Sequence, residues 1–278
     1  MKDNLVIPII PAEVLNLFGA SGEVTPLSGG QGMTFRCGNI VFKPCSNPVE
    51  WKGLAQLLTK LRPIGYRIVK PIRALDGRWE VEGWMATHLV EGWSGFQSRE
   101  LEALSACRCF HQELSIVYNS TKRPEWLGHS SSVYSKADQL AWGDCSLSRE
   151  FSADVKEILK PIVSTLSPIP LQNQITHGDP GGDNILFAEN QAPAIIDVSP
   201  YWRPSGYAIA MMLADGIAWE GSALSVLEFS HDEPYFGQLL LRAVLFRLIV
   251  SSLCKGYTSL VENVSAYGPI TQWAFDQL

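Results

Sequence analysis

The stretch ITHGDPGGDNILFAENQAPAIID, residues 175–197, decides how the rest of the chain is read. It sets His177, Asp179, Asn184 and Asp197 among two short apolar runs. Residues 185–187 and 194–196 read as strands, and ENQAP between them as the turn of a hairpin. Asp179, Asn184 and Asp197 then fall at strand ends or in loops, where a rigid scaffold presents chemistry.

The residue types and spacing point to phosphoryl transfer. That reaction needs a carboxylate beside the attacking hydroxyl and oxygen ligands that hold magnesium among the nucleotide phosphates. An Asp on a tight loop can take the hydroxyl proton. An Asn five positions on can reach the metal, and a later Asp one strand away adds a charged ligand. The D-x-x-x-x-N spacing followed by a metal-binding Asp is also that of the protein-kinase catalytic loop. The bland alternative is an Asp and an Asn capping turns in a Gly-Pro-rich loop, but the full string H-G-D-x4-N-I-L-x10-D is far more specific than D-x4-N alone.

ITHGDPGGDNILF and AIID resemble the catalytic segment of the aminoglycoside phosphotransferase and choline kinase-like enzymes, whose fold is that of the protein kinases. The resemblance implies that Asp179 is the base and that Asn184 and Asp197 are the magnesium ligands. His177 would brace the loop. The chain departs from the pattern in carrying Asp183 where many relatives have Gly, and Val198-Ser199 after the metal Asp. Asp183 reads as a solvent-facing turn residue or as added charge near the site. GGQG, FKP and DVSPYWRP together look like a less characterised bacterial branch of these kinase-like proteins.

The N-terminal part is expected to supply a phosphate-binding loop, a strand Lys and a helix Glu. Ser28-Gly29-Gly30-Gln31-Gly32 precedes two β-prone stretches, 33–37 and 39–43, and Lys43 ends the second. Glycines there allow backbone N–H groups to approach phosphate oxygens. Phe35 stands where the last Gly of G-x-G-x-x-G would be. Asn47 and Pro48 then start a helix. Its Glu50 is expected either to pair with Lys43 or to act as the third residue of a capping box. Residues 66–72 and 79–85 read as strands around a turn at Asp76-Gly77. Residues 86–92 resemble the hinge between lobes, with adenine bonding backbone near Met85 to Thr87.

The remainder is helical in pattern: 99–114, 152–166 with a break or kink at Pro161, 209–219 and 235–264. Residues 118–150 read as loop plus a short helix. The expected fold class is therefore α+β, a two-lobed protein kinase-like fold. Residues 1–88 would form a small β-rich lobe that holds nucleotide phosphates. Residues 89–278 would form a larger helical lobe with the catalytic and metal loops and the acceptor site.

Composition bounds the partners. The 278 residues carry a net charge of −6, with 46% hydrophobic and 18% charged residues, which suits a folded globular chain. That charge disfavours a nucleic-acid groove. No uninterrupted apolar run reaches the ~18 residues of a membrane span, and MKDNLVIPII is a poor signal peptide. The expected location is cytoplasmic. The six Cys are scattered without metal spacing and read as idle thiols. His111 reads as a satisfied core residue, and Asp215 and Trp219 as helix packing and capping. Tyr201 and Arg203 could face an anionic or hydroxylated acceptor, or Arg203 could pair with a carboxylate. Glu91, Glu125, Asp138, Asp144 and Glu150 could line an acidic acceptor surface. The expected activity is transfer of the γ-phosphoryl group of ATP or GTP to a hydroxyl of a small acceptor, with magnesium. The alternative is a non-catalytic nucleotide-binding scaffold. A protein-kinase reading ranks lower, because no A-P-E motif follows Asp197.

Overall fold

The computed structural model describes residues 9–27, 32–96, 98–128, 132–146, 151–254 and 258–278. The chain opens with α1 (Ala12–Leu17), then β1 (Val24–Pro26), β2 (Phe35–Cys37), β3 (Ile40–Pro44), α2 (Pro48–Leu58), β4 (Arg67–Ile68), β5 (Glu80–Val81) and β6 (Trp84–His88). It continues through α3 (Glu100–Val117), α4 (Val133–Ala141), α5 (Ala153–Thr165), β7 (Gln174–His177), β8 (Ile185–Ala188), β9 (Gln191–Ile195), β10 (Pro200–Arg203), α6 (Ser205–Trp219), α7 (Phe236–Leu253) and α8 (Leu260–Asp276). The result is an α+β molecule with a sheet-rich first part and a mainly helical second part, the protein kinase-like architecture.

The first sheet runs β1-β2-β3-β6-β5 and is antiparallel throughout. Gly38 turns β2 into β3 at φ +58°. The chain turns at Asp76-Gly77 as expected, where Ala74 N–H donates to Arg78 O (2.8 Å), and again at Glu82-Gly83 between β5 and β6, where both residues have positive φ. Two consecutive left-handed residues match the twist of paired strands, which is what a two-residue hairpin loop requires. Phe35, Phe42, Val81 and Trp84 bury one face of this sheet against Val14 and Phe18 of the α1 segment.

Residues 66–72 do not form one strand of that sheet. Arg67 and Ile68 pair in parallel with Ala194 and Ile195 of β9. The chain then crosses back, and Lys70 and Ile72 exchange backbone bonds with His88 and Ala86. A single extended run thus touches both halves of the molecule. A cluster of buried side chains follows the same route: Trp51, Leu54 and Leu58 of α2 pack with Phe110 and Leu114 of α3, Ile175 of β7 and Ile195 of β9.

The helical part surrounds α7. Buried residues lie on every side of this helix, and it packs against α4, α5, α6 and α8. Among the described residues it is the one helix long and apolar enough to cross a membrane, but 78% of it is buried inside the molecule, as in a core helix. Residues 235–264 form two helices rather than one. Ser259 starts α8 with a capping box, its hydroxyl accepting the Glu262 N–H while Glu262 accepts the Ser259 N–H. Helix α5 runs through Pro161 without ending. Pro161 and Glu157 are both exposed, so water can satisfy the carbonyl that proline leaves unbonded.

Candidate active site

Strand β7 delivers His177 to the start of the loop expected to carry chemistry, and its neighbour β10 brings Tyr201 alongside. Gly178 donates its N–H to Ser199 O (2.8 Å). A Cβ at Gly178 would fall inside the Tyr201 ring, so only glycine lets that ring lie on the backbone before Asp179. The loop ends in a single 3-10 turn, Gly182–Asn184, leading into β8. Asn184 Nδ2 donates to Asp179 O at 2.8 Å and lies 3.4 Å from Asp179 Oδ2. That closure turns the Asp179 and Asn184 side chains into one cleft.

His177 braces the loop from behind. Its Nδ1 accepts the N–H groups of both Asp179 (3.2 Å) and Ser199 (3.3 Å). Two donors on Nδ1 fix the proton on Nε2. Its own N–H donates to His111 Nε2 at 3.0 Å, and His111 Nδ1–H donates to Cys107 O at 2.7 Å. Both rings are buried. Burial pushes His111 down to about 4 and also lowers His177, so both are neutral at pH 7. His111 is the satisfied core residue expected, and it also ties α3 to β7.

A second set of contacts holds the other end of the loop. Gly182 N–H donates to Glu220 Oε1 (2.7 Å) and Phe96 N–H to Oε2 (3.1 Å). A Cβ at Gly182 would occupy the space of the Glu220 carboxylate. Asp179 Oδ1 accepts Arg247 Nη2 at 2.5 Å. The same guanidinium bonds Asp215 through Nε (3.1 Å) and Nη2. Tyr267 Oη donates to Asp215 Oδ1 (2.7 Å) and accepts Trp219 Nε1–H (3.0 Å). Asp215 and Trp219 are therefore members of a hydrogen-bonded chain, buried at Asp215 and Tyr267 and exposed at Trp219, that reaches Asp179 through Arg247. Burial acts to raise the Asp179 carboxyl, but Arg247 beside it lowers it more, and it lies below the usual carboxylate range.

Asp197 faces the cleft from the end of β9, at a left-handed φ of +51°. Its Oδ2 lies 2.8 Å from Lys43 Nζ on β3. Lys43, Asp179, Asn184 and Asp197 thus line one cleft of about 1360 Å³, together with Glu50, Met85, Thr87 and Asp183.

Two expectations change here. Lys43 pairs with Asp197, not with Glu50. Asn47 Oδ1 accepts the Glu50 N–H (3.2 Å), but the Glu50 side chain makes no return bond to the cap. Glu50 is half-buried in the cleft wall. Burial raises its carboxyl and only Arg123 opposes that, the opposite of what an ion pair with Lys43 would do. The backbone of Met85 and Thr87 is also unsuited to adenine. Met85 is paired to Lys43 on one edge and Glu80 on the other, and Thr87 to Val41 and Pro71. The first backbone beyond this double pairing follows Leu89, whose N–H donates to Asn39 O (2.8 Å). Ser28, Gly29, Gly30 and Gln31 lie outside the described residues. Gly32 is exposed at φ +73°.

At the far end of the cleft, Arg203 bonds Asp138 (2.6 Å) and Asp144 (2.6 Å) and lies over the Trp142 ring. This settles Arg203 as a structural partner of Asp138 and Asp144; one guanidinium serves both acids, so the group keeps a net negative charge. Arg247 and Glu220 went unnoticed in the sequence. Both approach the loop from helices distant in sequence, and only their rarity as charges in apolar helical stretches marks them.

Solved structures that resemble the chain share its fold throughout. Aminoglycoside phosphotransferase APH(4)-Ia matches with a TM-score of 0.61 at 15% identity, covering 96% of this chain and 97% of that one. Spectinomycin phosphotransferase APH(9)-Ia, in complex with ADP and spectinomycin, matches at 0.57 and 12%, covering 98% and 100%. Choline kinase LicA from Streptococcus pneumoniae matches at 0.59 and 12%, covering 96% and 97%. No protein-family model and no curated protein matches the sequence.

Proposed function

We propose that this chain, built on the fold of the aminoglycoside phosphotransferases and choline kinases, is a small-molecule kinase that uses ATP or GTP. The observation that carries the reading is the convergence of Asp179, Asn184, Asp197 and Lys43 on one cleft between the two parts of the molecule. Asp179 Oδ1 is held by Arg247, which leaves Oδ2 to orient the acceptor hydroxyl. The acceptor oxygen bonds to the γ-phosphorus and the bond to the bridging oxygen breaks. The nucleoside diphosphate leaves with that electron pair, and the proton passes to Asp179 and then to water. A carboxylate below its usual pKa is a weak base. It suits a loose transition state in which positioning and electrostatics supply most of the rate.

Magnesium fits the oxygen donors present. Asn184 spends its NH2 on Asp179, so its Oδ1 is available, and Asp197 carries a carboxylate. Among the described residues no cluster of three His, Cys, Asp or Glu side chains forms a protein cage. That agrees with a magnesium site completed by phosphates and water. When bound, the ion would neutralise phosphate charge. Lys43 would do the same from the other lobe once released from Asp197. The base of the nucleotide would bond backbone beyond Leu89.

Asp179→Ala is expected to lower kcat by roughly 10²–10⁴-fold while leaving the thermal shift produced by nucleotide and magnesium intact. Wild-type turnover by that variant would sink the assignment. A second reading, a nucleotide-binding scaffold, is favoured by Lys43 being held by Asp197 instead of Glu50. Nucleotide binding without transfer to any of a broad panel of sugars, amino alcohols, nucleosides and aminoglycosides would support it.

A further inference from the structure

We propose that Thr34 is a phosphate-binding residue, its hydroxyl donating to an oxygen of the nucleotide phosphate held beside Lys43. The inference rests on the kinase reading and adds a residue to that site. Thr34 is 6% exposed, and its Oγ1 has no hydrogen-bond partner among the described residues. Buried hydroxyls are nearly always bonded, because an unpaired one loses the bonds it made to water and gains none. Two contacts that could have used this hydroxyl do not. The β1–β2 hairpin is closed by the Thr34 carbonyl, which accepts the Leu27 N–H (2.9 Å). Lys43, on the neighbouring strand, bonds Asp197 instead.

The strand register places the residue. β2 and β3 pair Cys37 with Ile40, Arg36 with Val41 and Phe35 with Phe42. One step further along the same ladder, Thr34 stands across from Lys43. Successive side chains point to opposite faces of a strand. Phe35 and Phe42 enter the core beside α1, so Thr34 and Lys43 share the other face, and both line the cleft. Opposed positions on one face have Cβ atoms about 4.5–5.5 Å apart, close enough for one phosphate to meet both side chains. This is also the phosphate end of the wall. Val41, on the same face, pairs with Thr87 toward the backbone beyond Leu89, whereas Lys43 reaches Asp197. Oγ1 itself is covered. One step about χ1 exchanges the hydroxyl with the methyl or the hydrogen on Cβ and needs no backbone movement. The hydroxyl then donates a directed bond that the phosphate charge strengthens, beside the ammonium of Lys43.

The test titrates adenosine, AMP, ADP and the non-hydrolysable β,γ-imido-ATP, and the guanosine series alongside, with magnesium present. Thermal shift gives the affinities. Thr34→Val keeps the branched shape and loses only the hydroxyl, and Thr34→Ser keeps the hydroxyl. Thr34→Val should weaken at least one phosphorylated form by roughly tenfold, the worth of a hydrogen bond to a charged group. The first form in the series to lose affinity identifies the phosphate that Thr34 bonds. Affinity for the nucleoside should stay at the wild-type value, and Thr34→Ser should bind every form as wild type does. Without nucleotide, Thr34→Val should melt at or above the wild-type temperature, since a methyl replaces an unpaired buried hydroxyl. The proposal is overturned if Thr34→Val binds every phosphorylated form as wild type does, or if nucleoside affinity falls by the same factor. Should Thr34→Val fail to fold, Thr34→Ala, which only removes atoms, takes its place. Failure of both to fold would make the hydroxyl structural and overturn the proposal as well. In each of those cases wild-type binding of the phosphorylated forms leaves the kinase reading standing. A wild-type protein that bound none of them would remove the kinase reading, and this proposal with it.

Discussion

Asp197 occupies the left-handed backbone region, which few non-glycine residues adopt and which costs on the order of 1 kcal/mol or more. The strain sits where the carboxylate must leave β9 and turn back into the cleft. Asp197→Gly should relieve it and raise the urea midpoint, a gain of a few tenths to about 1 kcal/mol after loss of the exposed pair with Lys43. The same change should abolish the magnesium dependence of nucleotide binding. A variant that lost stability, or still bound nucleotide in a magnesium-dependent way, would contradict this. His111 gives a pH dependence. Its folded pKa of about 4 lies below the unfolded value near 6.5, so the unfolded chain takes up the proton first. Stability is therefore full above about pH 6.5 and falls as pH drops toward 4, by about 2 kcal/mol between pH 7 and 5. Urea titrations at the two pH values check it, and His111→Gln should reduce the difference to the share that His177, also lowered by burial, contributes. At this scale the sequence was most legible. Asp179 and Asn184 share one loop and Asp197 follows one hairpin later, a spacing that is chemically restrictive. Glu50 was misread because helix spacing says nothing of which acid a lysine finds across a cleft, and Asp197 lies nearer to Lys43.

The short turn Gly182–Asn184 depends on an element far from it in sequence, the end of α6. Glu220 accepts two backbone N–H groups, from Gly182 and Phe96, one on each oxygen. Gln has one acceptor oxygen in place of two. Glu220→Gln should strand one of the two N–H groups, at a cost of about 1–3 kcal/mol. It should also lower kcat more than it raises the KM for nucleotide, since the loop bearing Asp179 is loosened. Denaturation midpoints with steady-state kinetics measure both, and an unchanged kcat would mean that Glu220 only caps the turn. Helices and the β8–β9 hairpin were readable from periodicity and turn residues. Strand β10, in PYWRP, was not, because its flanking prolines argue against a strand and only pairing with β7 makes it one. Arg247 was hidden for a related reason. Helix α7 is buried on all sides and carries two arginines, Arg242 and Arg247, so neither gives a facing signal until Asp179 and Asp215 are brought to Arg247.

The molecule as a whole is less divisible than its two-part appearance suggests. The run 67–72 pairs with β9 and then with β6, and the cluster around Trp51, Phe110 and Ile195 spans both parts. Calorimetry should show one unfolding transition, with calorimetric and van't Hoff enthalpies equal, moved upward in one piece by nucleotide with magnesium. Two separate transitions would show that the shared strand and cluster do not couple the parts. Strand β4 also bears on how the chain is made. Its partner Ala194 lies far downstream of Arg67. At ribosomal rates the wait for that partner is on the order of ten seconds. During that interval the newly emerged sheet carries an unmatched segment beside an exposed apolar helix face. Premature pairing there is a hazard, so chaperone dependence should concentrate before residue 195 has left the ribosome.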